Sequence, residues 1–199
     1  MTRFVFAFIT ALVLAATAAA QASSWQIDPK HTAAQFAVKH LGVSTVRGAF
    51  AKVSGTAQID PADPSKDAIE ATIDASSVDT RVEARDNDIR SPHFFDVQKY
   101  PTIIFHSKNT KVAGPGHLAI TGDLTLHGVT KEVVLDVDGP SAAIQDAKMG
   151  MQRIGASATT KIVRQDFGIS AAPGVVGDQI SITIDVELIQ PSAPTPTVK

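Results

Sequence analysis

The sequence contains no cysteine. Disulfides, thiolate catalysis, cysteine zinc sites and iron–sulfur ligation are therefore excluded together. An excess of one charge is also missing: 18 Lys and Arg stand against 20 Asp and Glu in 199 residues, a formal net charge of −2. That balance lacks the basic footprint of a general nucleic-acid binder. The G-x-S-x-G elbow, the G-x-G-x-x-G fingerprint, the P-loop and the H-E-x-x-H pair are all absent. No solenoid-period repeat occurs, and strands do not alternate with helices in the doubly wound manner.

What is present begins with an export signal. A short cationic start, Met1-Thr2-Arg3, precedes an uncharged apolar run from Phe4 to Ala20, and Ala20-Gln21-Ala22 has the form of a cleavage site. The expected division is a signal peptide over 1–22, one domain over 23–190 and a flexible Pro-rich tail over 191–199. An uncleaved membrane anchor is the alternative reading of the first run. No later segment is long and apolar enough for a stable membrane insertion once the signal is removed.

The rest alternates with period two. Ile180, Ile182, Ile184, Val186 and Leu188 share one face, with Ser181, Thr183, Asp185 and Glu187 opposite. Leu118, Ile120, Gly122, Leu124 and Leu126 form a second face, and Val129, Val133, Leu135 and Val137 a third. Such one-sided strands belong to antiparallel sheets with one face buried. Strands are expected near 24–28, 32–40, 49–59, 67–74, 101–112, 117–127, 129–138 and 179–190, with a weaker one at 151–163. His127-Gly128 reads as a tight hairpin. Ser76 to Thr80 read as a capped helical turn, and Glu83–Arg90 as a short helix ending before Pro92. The fold class is all-β with one helical excursion. A barrel would enclose a cavity and a sandwich would fill its own core, and alternation does not separate them.

Little of this suggests chemistry. The six histidines, His31, His40, His93, His106, His117 and His127, are scattered, which leaves a metal site assembled in space as an alternative. Asp86 and Asp88 read as solvated or ion-paired rather than as an acid–base pair.

Several segments together resemble the YceI-like family of secreted polyisoprenoid-binding proteins. They are Trp25-x-Ile27-Asp28-x-x-His31, Phe36-x-Val38-x-His40-Leu41-Gly42, Arg47-Gly48-x-Phe50, Ser77-Val78-Asp79-Thr80, Phe94-Phe95-Asp96-Val97, Tyr100-Pro101-Thr102-Ile103-x-Phe105, Gly122-Asp123-Leu124-Thr125-Leu126-His127-Gly128 and Arg164-x-Asp166-Phe167-Gly168. Their order and spacing extend over 25–190. The resemblance implies an eight-stranded, lipocalin-like extended antiparallel barrel in the periplasm. It implies no catalytic residues, no metal and no resident cofactor other than a bound isoprenoid or fatty lipid. The partner it implies is a long apolar chain: a polyprenyl group, an isoprenoid quinone or a similar amphiphile.

By alternation, Phe36, Val38, Ile103, Phe105, Leu124, Leu126, Ile182 and Ile184 are expected to line the interior. Phe94, Phe95 and Phe167 are expected to plug or line one end. Arg85 and Arg90 are candidates for a polar head, with ion pairs to Asp86 or Asp88 as the competing assignment. His40, Arg47 and Asp166 are expected to stabilise loops. A homodimer through a strand edge or the barrel mouth is compatible with the sequence. A metal-binding or enzymatic barrel, and an accessory protein with a closed core, remain the alternatives.

Overall fold

The structure, a computed structural model, describes residues 22–191. The expected signal peptide lies outside them except for Ala22, and the expected tail except for Pro191. The strands are β1 (Ser23–Ile27), β2 (Ala33–His40), β3 (Ser44–Phe50), β4 (Val53–Ile59), β5 (Ala68–Asp74), β6 (Val78–Asp79), β7 (Thr102–Gly114), β8 (His117–Leu126), β9 (Val129–Asp138), β10 (Ile144–Asp146), β11 (Met151–Val163) and β12 (Val176–Pro191). Among the described residues a single α-helix, α1 (Glu83–Arg90), follows β6.

All pairings between these strands are antiparallel. The sheet runs β10-β11-β9-β8-β7-β5-β4-β1-β12-β2-β3-β6, and an additional β11–β12 pairing closes it. That closing pair is continuous from Met151 opposite Pro191 to Val163 opposite Gln179. Closure resolves the choice between barrel and sandwich in favour of an eight-stranded barrel.

The count of eight depends on bent strands. β12 pairs with β1 at Gln26 and Ile27 and with β2 from Ala33 to Val38, so β1 and β2 are two arms of one strand. β3 and β4 are likewise two arms, broken only at Ala51 and Lys52. The two stretches expected as separate strands at 24–28 and 32–40 thus contribute one barrel stave. The weak stretch at 151–163 is a full stave.

An ion-pair network holds the first bend. Asp28, in the turn between β1 and β2, accepts from His31 Nδ1 at 2.8 Å and from the Arg153 guanidinium at 3.1 Å. Arg153 also pairs with Asp146 at 3.0 Å and with Glu187. Hydrogen bonds from His31, the Lys30 amide and Arg153 hold the Asp28 carboxyl down at about 2, with the His31 bond the largest cause.

Inner-face alternation includes two glycines, each of which makes room for a ring. A Cβ on Gly48 would lie 2.5 Å from the Phe36 ring, and one on Gly122 equally close to the Phe105 ring. The His127-Gly128 hairpin forms as expected, with φ of +52° and +74°. Its strained His127 is held by an edge contact with Tyr100 at 4.5 Å and by Nδ1 against the Phe167 carbonyl at 3.2 Å.

The expected helical turn near Ser76 is a 3₁₀ turn over Ala75–Ser77, capped by Asp74 rather than by a serine. Helix α1 has the expected bounds but no side-chain cap, since Val82 stands at its N-terminus. Its place is secured by tertiary bonds. Asp86 is buried and accepts from the Thr80 amide at 2.8 Å and the Thr80 hydroxyl at 2.6 Å. The expectation of a solvated or ion-paired Asp86 is therefore corrected. Its charge is stabilised by hydrogen bonds from the segment that leads into the helix.

Candidate functional site

The barrel interior is not filled. A cavity of about 660 Å³ runs through it, and its middle is walled by aliphatic and aromatic side chains. The walls come from inward positions on every stave. β2 contributes Ala34, Phe36 and Val38, β7 Ile103 and Phe105, β8 Leu118, Ile120, Leu124 and Leu126, and β12 Ile180, Ile182, Ile184 and Val186. Water in so apolar a space would lack the two to four polar partners it needs, so the cavity suits an apolar occupant.

Eleven of the expected residues stand on this wall. They are Phe36, Val38, Phe94, Phe95, Ile103, Phe105, Leu124, Leu126, Ile182, Ile184 and Arg85. Phe167 and Arg90 do not. Phe167 sits in a 3₁₀ turn over Arg164–Phe167, is 2% exposed, and belongs to the packed core with Leu126, Ile162 and Ile169. Arg90 donates to the carbonyls of Ser76 at 2.8 Å and Val78 at 2.6 Å, which ties α1 to β6.

The competing ion pairs with Asp86 or Asp88 do not form for either arginine. Arg85 instead bonds Thr80, through Nε to Oγ1 at 2.7 Å and Nη2 to the carbonyl at 2.8 Å. The Thr80 hydroxyl thus accepts from Arg85 while donating to Asp86.

Charged wall residues stand toward the ends, while polar ones such as Gln35 and Thr160 lie along the staves. At the end formed by the β2–β3 turn and α1 the polar and charged residues are Lys39, His40, Ser44, Arg85 and Asp88. Of these, Lys39, His40, Ser44 and Asp88 are exposed to solvent, as is the neighbouring wall residue Val175. The cavity meets solvent here. Alternation had selected the apolar faces but not this rim. The rim comes from the end of β2 (Lys39, His40), the start of β3 (Ser44) and α1 (Arg85, Asp88), and α1 has no period-two signal.

Arg164 also touches the cavity, yet its work is structural. It is 3% exposed, and its guanidinium donates to the carbonyls of Gly177, Ile169, Ala171 and Val176 and pairs with Asp178 at 3.2 Å. It fastens the loop between β11 and β12 beneath the mouth. At the other end, burial pushes the Asp67 carboxyl up, and the charges of Asp60 and Asp63 add to the shift.

The histidines do not converge. His31 lies against Asp28, His93 against Asp88 and His106 against Glu70. Among the described residues, the one grouping of three ligand-type side chains is Asp28, His31 and Glu187. Arg153 already pairs with both of its carboxylates.

The comparisons with known proteins agree with this architecture. The model of the YceI-like domain family matches residues 25–188. Protein YceI of Salmonella arizonae is 36% identical over 192 residues, covering 96% of this chain and 99% of that protein. The crystal structure of the Campylobacter jejuni YCEI protein superposes with a TM-score of 0.66 at 32% identity, over 76% of this chain and 89% of that one. A polyisoprenoid binding domain from Saccharophagus degradans, implicated in plant cell wall breakdown, shares the fold with a TM-score of 0.63 at 18% identity, over 84% and 98% of the two chains. No helix among the described residues is long and apolar enough to cross a membrane. A family match over nearly the whole domain and a curated relative at 36% identity show that the chain belongs to the YceI-like family.

Proposed function

We propose that this protein is exported to the periplasm, where it holds one long apolar chain in its barrel and sequesters or carries it. The chain would be a polyprenyl group, an isoprenoid quinone or a similar amphiphile. The observation that carries the reading is the apolar cavity of about 660 Å³ inside a closed barrel. The Saccharophagus neighbour's polyisoprenoid-binding description supports the same ligand class.

Each methylene moved from water to such a wall gains about 0.8 kcal/mol, so a chain is held by burial without a specific anchor. Selectivity for chain identity is correspondingly loose, since one methylene discriminates by only about 1–3 kcal/mol. Phe36, Val38, Phe94, Phe95, Ile103, Phe105, Leu124, Leu126, Ile182 and Ile184 would contact the chain. Arg85, at the polar end, would face the head.

The test has two parts. Expression of the full chain in a Gram-negative host should yield periplasmic protein beginning at Ser23. Titration with a polyprenyl quinone should give saturable one-to-one uptake, and Ile184→Trp, which places bulk in the lumen, should reduce it. Cytoplasmic retention would overturn the location. Uptake unaffected by Ile184→Trp would overturn the site.

A further inference from the structure

The turn joining β2 to β3 has features that the fold does not require. Its central residues, Leu41 and Gly42, have φ of +51° and +68°, and the Val43 amide donates to the His40 carbonyl at 3.0 Å. Such a turn favours Asn-Gly, and a branched side chain at its first position is strained. His127 pays for the same strain with packing contacts. Leu41 gains no comparable burial: it is 57% exposed, and Val43 beside it is 85% exposed. A strained backbone that presents an apolar side chain to water is explained by something that covers it.

The turn stands at the mouth of the cavity. The Leu41 amide donates at 2.7 Å to the carbonyl of Val175, itself an exposed wall residue. On the same arm, Val38, His40, Ser44 and Val46 line the cavity, Lys39 borders it at the rim, and Arg47 is not on its wall.

Charge indicates what the covering surface is. The chain is acidic overall, yet from Pro29 to Ile59 it carries Lys30, Lys39, Arg47 and Lys52 with no Asp or Glu. Lys52 pairs with Asp74, whereas Lys39 and Arg47 are exposed and make no side-chain hydrogen bond or ion pair. Most acids of the adjoining elements are engaged. Asp79 accepts from the Arg81 amide, Asp86 from Thr80, Asp88 lies against His93, and Asp178 pairs with Arg164. Glu83 in the first turn of α1 and Asp166 in the 3₁₀ turn after β11 are exposed acids that make no side-chain hydrogen bond or ion pair among the described residues.

We propose that the Leu41–Val43 tip, with Lys39 and Arg47 behind it, docks on an anionic phospholipid bilayer so that the cavity mouth faces the membrane. An apolar tip beneath a cationic band is the arrangement of an interfacial anchor. Chain transfer from this position would avoid exposing the lipid to water. The proposal rests on the lipid-carrier reading.

The experiment is vesicle co-sedimentation of the full-length mature protein, with phosphatidylglycerol-containing and pure phosphatidylcholine vesicles at low and high salt. A parallel assay follows uptake of a polyprenyl quinone from a vesicle-free dispersion. Wild type should sediment with the anionic vesicles, less so at high salt and less with phosphatidylcholine. Val43→Asp and Arg47→Glu should each weaken association by about tenfold. Leu41→Asn should weaken it too, yet melt no lower than wild type, because it relieves the turn. All three should take up quinone from the dispersion. Equal sedimentation of wild type and variants, or none by wild type while dispersion uptake is normal, overturns the docking and leaves the carrier reading intact. Sedimentation without any quinone uptake overturns the carrier reading.

Discussion

The rings of Phe50 and Phe95 meet edge to face, with centroids 5.7 Å apart and planes at 64°. Phe50 ends β3, and Phe95 belongs to the segment that returns from α1. This contact seats the helical excursion against the barrel wall, and Phe36 extends it with a ring centroid 5.8 Å from that of Phe50. Phe95→Ala should therefore loosen one end of the cavity. Because Phe95 is only partly buried, the cost should be about 2–3 kcal/mol, below the 3–5 of a fully buried phenylalanine. Denaturant melts would measure it, and a bound lipid should leave the variant faster in stopped-flow transfer.

Arg164 gives a stronger structural prediction. Four carbonyls and Asp178 depend on its guanidinium. Arg164→Met keeps the apolar stem but leaves those acceptors without a donor, at a cost of about 3 kcal/mol or more. Urea titration should show that loss. A melt equal to wild type would mean that the loop between β11 and β12 is held by other contacts.

Asp28 sets an acid limit. Its carboxyl is held at about 2 against an ordinary 3.8, so the unfolded chain takes up the proton first. The stability it contributes is fully present above about pH 4 and is lost as the pH falls toward 2. Thermal melts of wild type and Asp28→Asn should differ most near neutrality and converge across that window. A constant difference would show that its charge is immaterial.

Asp67 has the opposite sign. Burial raises its carboxyl, so the charged form weakens the fold at neutral pH and protonation relieves it. Asp67→Asn retains an oxygen for the Asp60 amide, which donates at 2.9 Å. The variant should melt about 1–3 °C higher at neutral pH. The gain should vanish in acid, where wild type is protonated, and a gain that persists there would point to a cause other than charge.

Much of the barrel was legible because period-two alternation records which side of a strand is dry. β12 and β8 show this plainly, and their inward Ile182, Ile184, Leu124 and Leu126 lie on the cavity wall. β11 was faint because its inner face includes small residues such as Ala158, which leave little hydropathy contrast. Strand counting was misled at Asp28, where one stave bends without ending. Phe167 was misplaced because alternation says nothing about a 3₁₀ turn, which directs that ring into the core. Arg85 and Arg90 sit five residues apart on a charged helix, and only tertiary contacts separate the one at the cavity from the one that ties down β6. Of the polar rim, Arg85 was expected at a polar head, whereas Lys39, His40, Ser44 and Asp88 were not, since the end of β2, the start of β3 and α1 come together at the mouth only in the folded chain.

Native mass spectrometry of the protein released from the periplasm without detergent tests the central claim most directly. The expected spectrum shows mature protein carrying one apolar lipid, released as a single species on activation and identified by its mass. Protein that emerges empty from repeated preparations, and stays empty after incubation with polyprenyl quinones and fatty amphiphiles, would contradict the account.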